Sequence, residues 1–254
     1  MKNKLIEYDP HEDLKKYIDG YWSFRNTSGE KIYFPVVPDG CSDIIFYLND
    51  SLYLGNVKET FVTGVMEQAQ LIPILEQMEI FGIRFKPSVL SYLLDVDFSN
   101  MKNDMVELHT INSHMSKVIV IDRFANDEKL AKSLDEQLMG LCNCITIDDH
   151  ILDICIALEQ NPNAAIQNLA KKYNYTLKNL QRMFYKRIGI PPKVYARIMR
   201  FQKAHRQITK EGIEKLIFIA LDSGYFDQAH FNREYKKLVG TNPSNETMSI
   251  LYNT

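Results

Sequence analysis

The chain has 254 residues, 45% hydrophobic and 24% charged, and its 30 Lys and Arg against 32 Asp and Glu leave a formal net charge of −2. That length holds two domains of ordinary size, and the composition is that of a soluble globular protein. With no apolar run of about 18 residues and a charged N-terminus, MKNKLIEYDPHEDLKKY, neither a membrane span nor a signal peptide is expected, and the cytoplasm is the expected location.

The near-neutral total hides a division. Residues 161–254 carry 16 basic against 6 acidic side chains, a net of +10, and subtraction leaves 14 against 26 for residues 1–160, a net of −12. A basic domain attracts polyanions, nucleic acid first and a membrane surface second.

In chain order, KIYFPVV, DIIFYL and SLYLGN are short runs of β-branched and aromatic residues that predict strands, with NDS at 49–51 as a hairpin turn. ETFVTGV and EIFGIRF predict two more. Trp22, Tyr33, Phe34, Phe46, Tyr47, Tyr53 and Phe61 either line an apolar pocket or form the packed core of a small barrel or sandwich, and packing is the commoner fate. Arg84 correspondingly holds an anionic ligand, or is solvated or in a structural ion pair; no ligand-binding residue is assigned. From Pro87 the pattern turns helical, first SVLSYLLDV, then residues 115–126 and 127–141. CNCIT separates two helical patterns, so the predicted domains are 1–141 and 148–254.

Cys41, Cys142, Cys144 and Cys155 are too few and too irregular for a disulfide framework, and Cys142-x-Cys144 lacks partners at a metal-ligand spacing. His109 and His114, with Asp104 nearby, fall short of the three or four convergent ligands that zinc needs. No P-loop, dinucleotide fingerprint, HExxH or GxSxG occurs. No catalytic residue, metal or cofactor is therefore expected.

The basic part contains a repeat. Ala170, Asn174, Thr176, Leu180, Arg182, Phe184, Gly189 and Pro192 recur as Ala220, Gly224, Asp227, Phe231, Arg233, Tyr235, Gly240 and Pro243. The offset is 50 at the first two pairs and 51 afterwards, so the second turn is one residue longer. Each copy reads as helix, turn, helix. In the first, a helix over 164–173 sets Ile166, Leu169 and Ala170 on one face. Asn174 and Gly224 tolerate the left-handed backbone of a sharp bend, Thr176 and Asp227 are suited to cap the next helix, and Gly189 and Gly240 end it. A helix held by a narrow apolar edge leaves a broad polar and basic face, which is either merely solvated or offered to the major groove of DNA. Two basic copies, each with an arginine two residues after its buried anchor, favour DNA.

At these residues, LAKKYNYTLKNLQRMFYKRIGIPPKVYARIMRFQKA and IALDSGYFDQAHFNREYKKLVGTNPS, the chain resembles the DNA-binding domain of AraC/XylS-family transcription regulators. The resemblance covers about 80 residues, with a preceding helix over 148–159. It implies about seven helices and two helix-turn-helix units joined by a longer helix, here over 192–208. It implies base-reading roles for Lys178, Gln181 and Arg182 in the first unit, and for Gln228, His230, Asn232 and Arg233 in the second. Lys171, Lys172, Lys186, Arg187, Lys236 and Lys237 suit phosphate, but a solvated lysine is at least as common, so none is assigned individually. His205, on the connecting helix, is expected to be structural or solvated rather than a phosphate contact, and Glu234 to point away from the reading face. After Pro243, Asn245, Glu246 and Thr247 stand where the family commonly has an aromatic and an arginine.

VPDGCSDIIFY and GIRFKPSVLSYLL are similar, more loosely, to a sensor-like domain found before such units in one group of these regulators. The implied whole is an α+β protein, a β-rich N-terminal domain with flanking helices followed by an all-α DNA-binding domain. It is a transcription regulator, not an enzyme. Its implied partners are double-stranded DNA and RNA polymerase, with a small-molecule effector and a second copy of the chain as open alternatives; no membrane is among them. A ligand-independent regulator that binds a protein through its N-terminal domain is the competing reading. A DNA-repair alkyltransferase, with Cys41 as acceptor, is the enzymatic one.

Overall fold

The computed structural model describes residues 4–49 and 60–244. In chain order the strands are β1 (Lys4–Tyr8), β2 (Ile18–Arg25), β3 (Ile32–Val36), β4 (Ser42–Tyr47), β5 (Thr60–Thr63), β6 (Gln70–Ile74), β7 (Glu79–Phe85) and β8 (Met105–Glu107). Helices α1 (Val89–Leu93), α2 (Leu108–Ile111), α3 (Met115–Val118) and α4 (Asp127–Cys142) complete the first part. The second consists of α5 (Asp149–Gln160), α6 (Ile166–Lys172), α7 (Leu177–Ile188), α8 (Pro192–Glu211), α9 (Leu216–Asp222) and α10 (Gln228–Val239). The β-rich domain followed by a helical one is the architecture expected.

Six strands pair antiparallel in the order β1-β2-β7-β4-β5-β8, and β3 and β6 form a separate ladder. Alternation along β4 decides its two faces. Ile44 and Phe46 join Val62, Phe81, Ile83 and Phe85 against the helices, while Ile45 and Tyr47 turn towards Phe24, Ile80 and the small ladder. Opposite Trp22, only a glycine fits: a Cβ on Gly82 would lie 2.1 Å from the indole, whose Nε1 donates to Asp43 at 3.0 Å. Trp22, Phe34, Phe46 and Tyr47 are therefore core or core-packing residues. Phe61 is also buried, Tyr33 is exposed, and Tyr53, like SLYLGN and most of the NDS turn, lies outside the described residues.

Two expectations need correction. The helix over 115–126 is a single turn, α3, because Asn112 accepts from the Met115 amide to start it, while Val120 is tied to the Gln137 side chain instead of continuing the coil. Strands β1, β2, β6 and β8 were not anticipated. Their runs carry Lys, Glu, Asp, Gly, Gln or Pro, so neither composition nor alternation marks them, and cross-strand pairing decides.

Helix α4 is fastened to the sheet at its first turn. Asp127 accepts from Tyr8 at 2.8 Å, Ser23 at 2.7 Å and the guanidinium fork of Arg25. Burial alone would raise this carboxyl, but these bonds pull it down to about 2. A carboxyl depressed by folding stabilises fully above its unfolded value near 4 and loses that contribution as pH falls through the folded one. Asp127→Asn should therefore cost about 2 kcal/mol at pH 7. Urea titrations of both proteins between pH 5 and 2 should converge on acidification; parallel curves would refute the assignment.

The two domains are packed together. Gln202 of α8 donates to the Pro38 carbonyl at 2.6 Å, and Lys16 pairs with Asp149 at 2.9 Å. Val65, from the loop after β5, belongs to the core of the helical domain. Gly40 has φ +82°, and a Cβ there would meet Met199 at 2.7 Å and Tyr195 at 2.9 Å of α8.

Candidate nucleic-acid interface

The helical domain contains the two expected units. In the first, α6 packs on α7, and the turn between them bends at Asn174 with φ +60°. In the second, α9 and α10 are joined through Gly224 with φ +88°. The Tyr175 amide bonds to the Ala170 carbonyl at 2.8 Å and the Tyr225 amide to Ala220 at 3.0 Å, so both turns close in the same way. Thr176 then caps α7 by accepting from Asn179 at 3.1 Å, and Asp227 caps α10 by accepting from His230 at 2.6 Å. Gly189 and Gly240 end the helices in the left-handed conformation.

Leu180, Phe184 and Ile188 bury one edge of α7, and Phe231, Tyr235 and Leu238 bury that of α10. The connecting helix α8 runs to Glu211, three residues beyond the expected end, and its 20 residues span about 30 Å. Its Tyr195, Ile198 and Phe201 bury themselves in the core that the two units share.

Lys178, Gln181, Arg182 and Arg233 are exposed on the free faces of α7 and α10. Gln228 and His230 are half-buried: the His230 ring packs on Tyr225 at 5.4 Å, and its Nδ1 accepts from the Phe226 amide at 3.3 Å. Asn232 is turned partly inward, with its Oδ1 enclosed and without a hydrogen-bond partner among the described residues. Glu234 points back, as expected, pairing with Lys237 at 2.9 Å and approaching Arg197 of α8 at 4.0 Å. Tyr185 and Ala229 escaped the sequence reading. Both are exposed, and the i, i+4, i+7 spacing puts Tyr185 on the face of Lys178 and Arg182, and Ala229 on that of Arg233 and Lys236.

Of the residues suited to phosphate, Arg187 has other partners. The Arg187 guanidinium lies 3.9 Å from the Tyr92 ring centroid and donates to the Ser91 carbonyl at 3.4 Å, tying α7 to α1. His205 is buried and stacked on Phe201 at 5.0 Å, and burial lowers its pKa to about 4, so at neutral pH it carries no charge for a phosphate. Lys171, Lys172, Lys236 and Lys237 are exposed, and Lys186 is half-buried.

An open cleft of about 660 Å³ separates the sheet from α8. Asp19, Asp39, Arg84 and Lys86 stand on one wall, Arg206 and Lys210 on the other. Arg84 is no free anion receptor: Asp39, Asp43 and Glu7 carboxylates surround it at 3.4–3.8 Å. Cys41 also borders the cleft, and burial pushes its thiol well above the usual range, the opposite of an activated acceptor. His109 bonds to Ser116 at 3.3 Å, and among the described residues no three His, Cys, Asp or Glu are placed to hold a metal. No described helix is long and apolar enough to cross a membrane.

Residues 169–247 match a family described as a helix-turn-helix domain, and residues 6–107 match a domain of unknown function, DUF6597. No curated protein matches the chain. Among solved structures, ToxT from Vibrio cholerae in its P21 form is 12% identical, with 99% of this chain and 100% of that one covered and a TM-score of 0.49. ToxT bound to (E)-4-(8-methylnaphthalen-1-yl)but-3-enoic acid is 11% identical over 98% and 100%, with a TM-score of 0.49. ToxT bound to an unsaturated fatty acid is 15% identical over 100% and 93%, with a TM-score of 0.46.

Proposed function

We infer, from residues 169–247 matching a helix-turn-helix domain family and from the repeat that resembles AraC/XylS-family regulators, that this chain is a sequence-specific DNA-binding regulator of transcription. The observation that carries this reading is the tandem pair of units, each presenting a capped helix by its polar face, on one 20-residue connecting helix. A connector of about 30 Å suits two helices entering successive major grooves, about 34 Å apart. Lys178, Gln181 and Arg182 read bases in the first groove, and Gln228, His230 and Arg233 in the second, while Asn232, whose Oδ1 is enclosed, is left only its amide nitrogen to offer. Arginine pairs with guanine, and glutamine with adenine. Exposed lysines hold the backbone.

Residues 1–141 form the regulatory domain and 148–254 the DNA-binding domain. An effector in the cleft between sheet and α8 would act by preferring one domain arrangement over another. Regulation proceeds by differential affinity, without a catalysed step, in the cytoplasm and with RNA polymerase as a partner. One chain already holds two reading units, so a homodimer is compatible but not required.

The test is selection of bound genomic fragments, followed by fluorescence anisotropy at 50 and 200 mM salt. Enrichment of a shared motif is expected, with affinity falling by about 10³ if six or so phosphates are engaged. Fragments retained without any common motif, or binding indifferent to salt, would refute the reading.

A further inference from the structure

The two units differ by one residue, and the structure identifies it. Both turns share the hydrogen bond to the alanine of the first helix, made by Tyr175 and by Tyr225. In the first unit the capping Thr176 follows immediately. In the second, Phe226 intervenes before the capping Asp227. The extra residue is a phenylalanine with 85% of its surface exposed.

Phe226 has no packing task to account for it. The residue before a helix cap often staples onto the fourth helical residue, here Phe231. Tyr225 takes that place instead, with ring centroids 5.1 Å apart. The backbone of Phe226 is nonetheless held, because its amide donates to His230 Nδ1 at 3.3 Å. An exposed apolar ring thus stands on a held backbone immediately ahead of α10, beside a helix whose N-terminal turn exposes Ala229 and, one turn on, Arg233. That end of a reading helix approaches base edges, where the apolar feature of the major groove is the C5-methyl of thymine.

We propose that Phe226 is a specificity-determining residue of the second unit, reading a thymine through its methyl group. This rests on the DNA-reading function proposed above. It makes the longer turn a functional difference between the units: the first reads with polar side chains from its helix, and the second adds an apolar contact from its turn.

The full chain and Phe226→Ala are compared on a selected site in which each thymine of the second half-site is replaced in turn by deoxyuridine, which lacks only the methyl. One replacement should weaken the wild type about fourfold, the worth of one buried methyl. Phe226→Ala should bind the parent site about tenfold more weakly and ignore that replacement. Its melting temperature should stay unchanged, because the ring is exposed. Wild-type affinity in the variant, a loss that leaves the deoxyuridine penalty intact, or a second half-site without thymine would each overturn the proposal. Arg233→Ala is the control. If it weakens binding while Phe226→Ala does not, only the role of Phe226 fails; if neither does, the DNA-reading function fails with it.

Discussion

Arg182→Ala and Arg233→Ala should each weaken binding to the selected site by about 1–3 kcal/mol, and the double variant by about 2–6 kcal/mol. The two arginines occupy matching places, two residues after the buried anchors Leu180 and Phe231, on helices that hold them outward. A guanidinium gives bidentate bonds to one guanine, so its removal should relax the preference at one base pair and leave the others as they were. Additivity is expected because the arginines sit on different helices of separate units. Lys236→Ala is the contrasting case: a phosphate contact should lower affinity on all sequences alike and reduce the salt slope by about 1. Competition binding against single-base variants of the site distinguishes the two behaviours. An arginine variant that loses affinity uniformly, with every base preference kept, would reassign that arginine to the backbone.

Phe231→Ala should cost about 3–5 kcal/mol of folding stability, the largest stability loss anticipated for a single change in the second unit. Its side chain is fully buried, between Tyr225 at 5.1 Å and Tyr235 at 5.5 Å. Truncation removes the ring and leaves a cavity whose walls are themselves aromatic and cannot collapse to fill it. Against a total of about 5–15 kcal/mol for a folded domain, such a loss leaves the second unit close to unfolding. Denaturant titration followed through α-helical circular dichroism measures it. Phe231→Leu should lose much less because most of the volume remains. Equal midpoints for wild type and Phe231→Ala would show that this core is not what holds α10. Because Ala69 donates its amide to the Leu238 carbonyl, loosening of α10 should also be felt by the N-terminal domain.

These two cases mark what could be read from sequence. Arg182, Arg233 and their anchors were legible because a helix relates residues three and four apart by fixed geometry, and the repeat supplied two independent copies of the pattern. The caps at Thr176 and Asp227 and the left-handed bends at Asn174 and Gly224 were legible for the same reason: each bond involves a partner within five residues. The strands β1, β2, β6 and β8 were not, since their pairing residues are separated by longer stretches and their composition is mixed. The one-residue lengthening of the second turn was also visible in sequence. That it is an exposed phenylalanine, with Tyr225 taking the stapling place, was not.

By itself, then, the sequence determined a basic, repeated helix-turn-helix region behind an acidic β-rich one, because charge adds along the chain and helical periodicity is local. The tertiary structure alone decided which polar side chains remain available. Arg187 is engaged by Tyr92 and Ser91, about a hundred residues earlier, and Arg84 is ringed by three carboxylates, Glu7 of β1 and Asp39 and Asp43 from the stretch that enters β4. His205 is sealed against Phe201, and Asn232 is turned partly inward. The contacts of Arg187 and Arg84 join residues that the chain brings together only by folding, where burial and charge neutralisation between distant segments outweigh any preference written in the neighbouring residues.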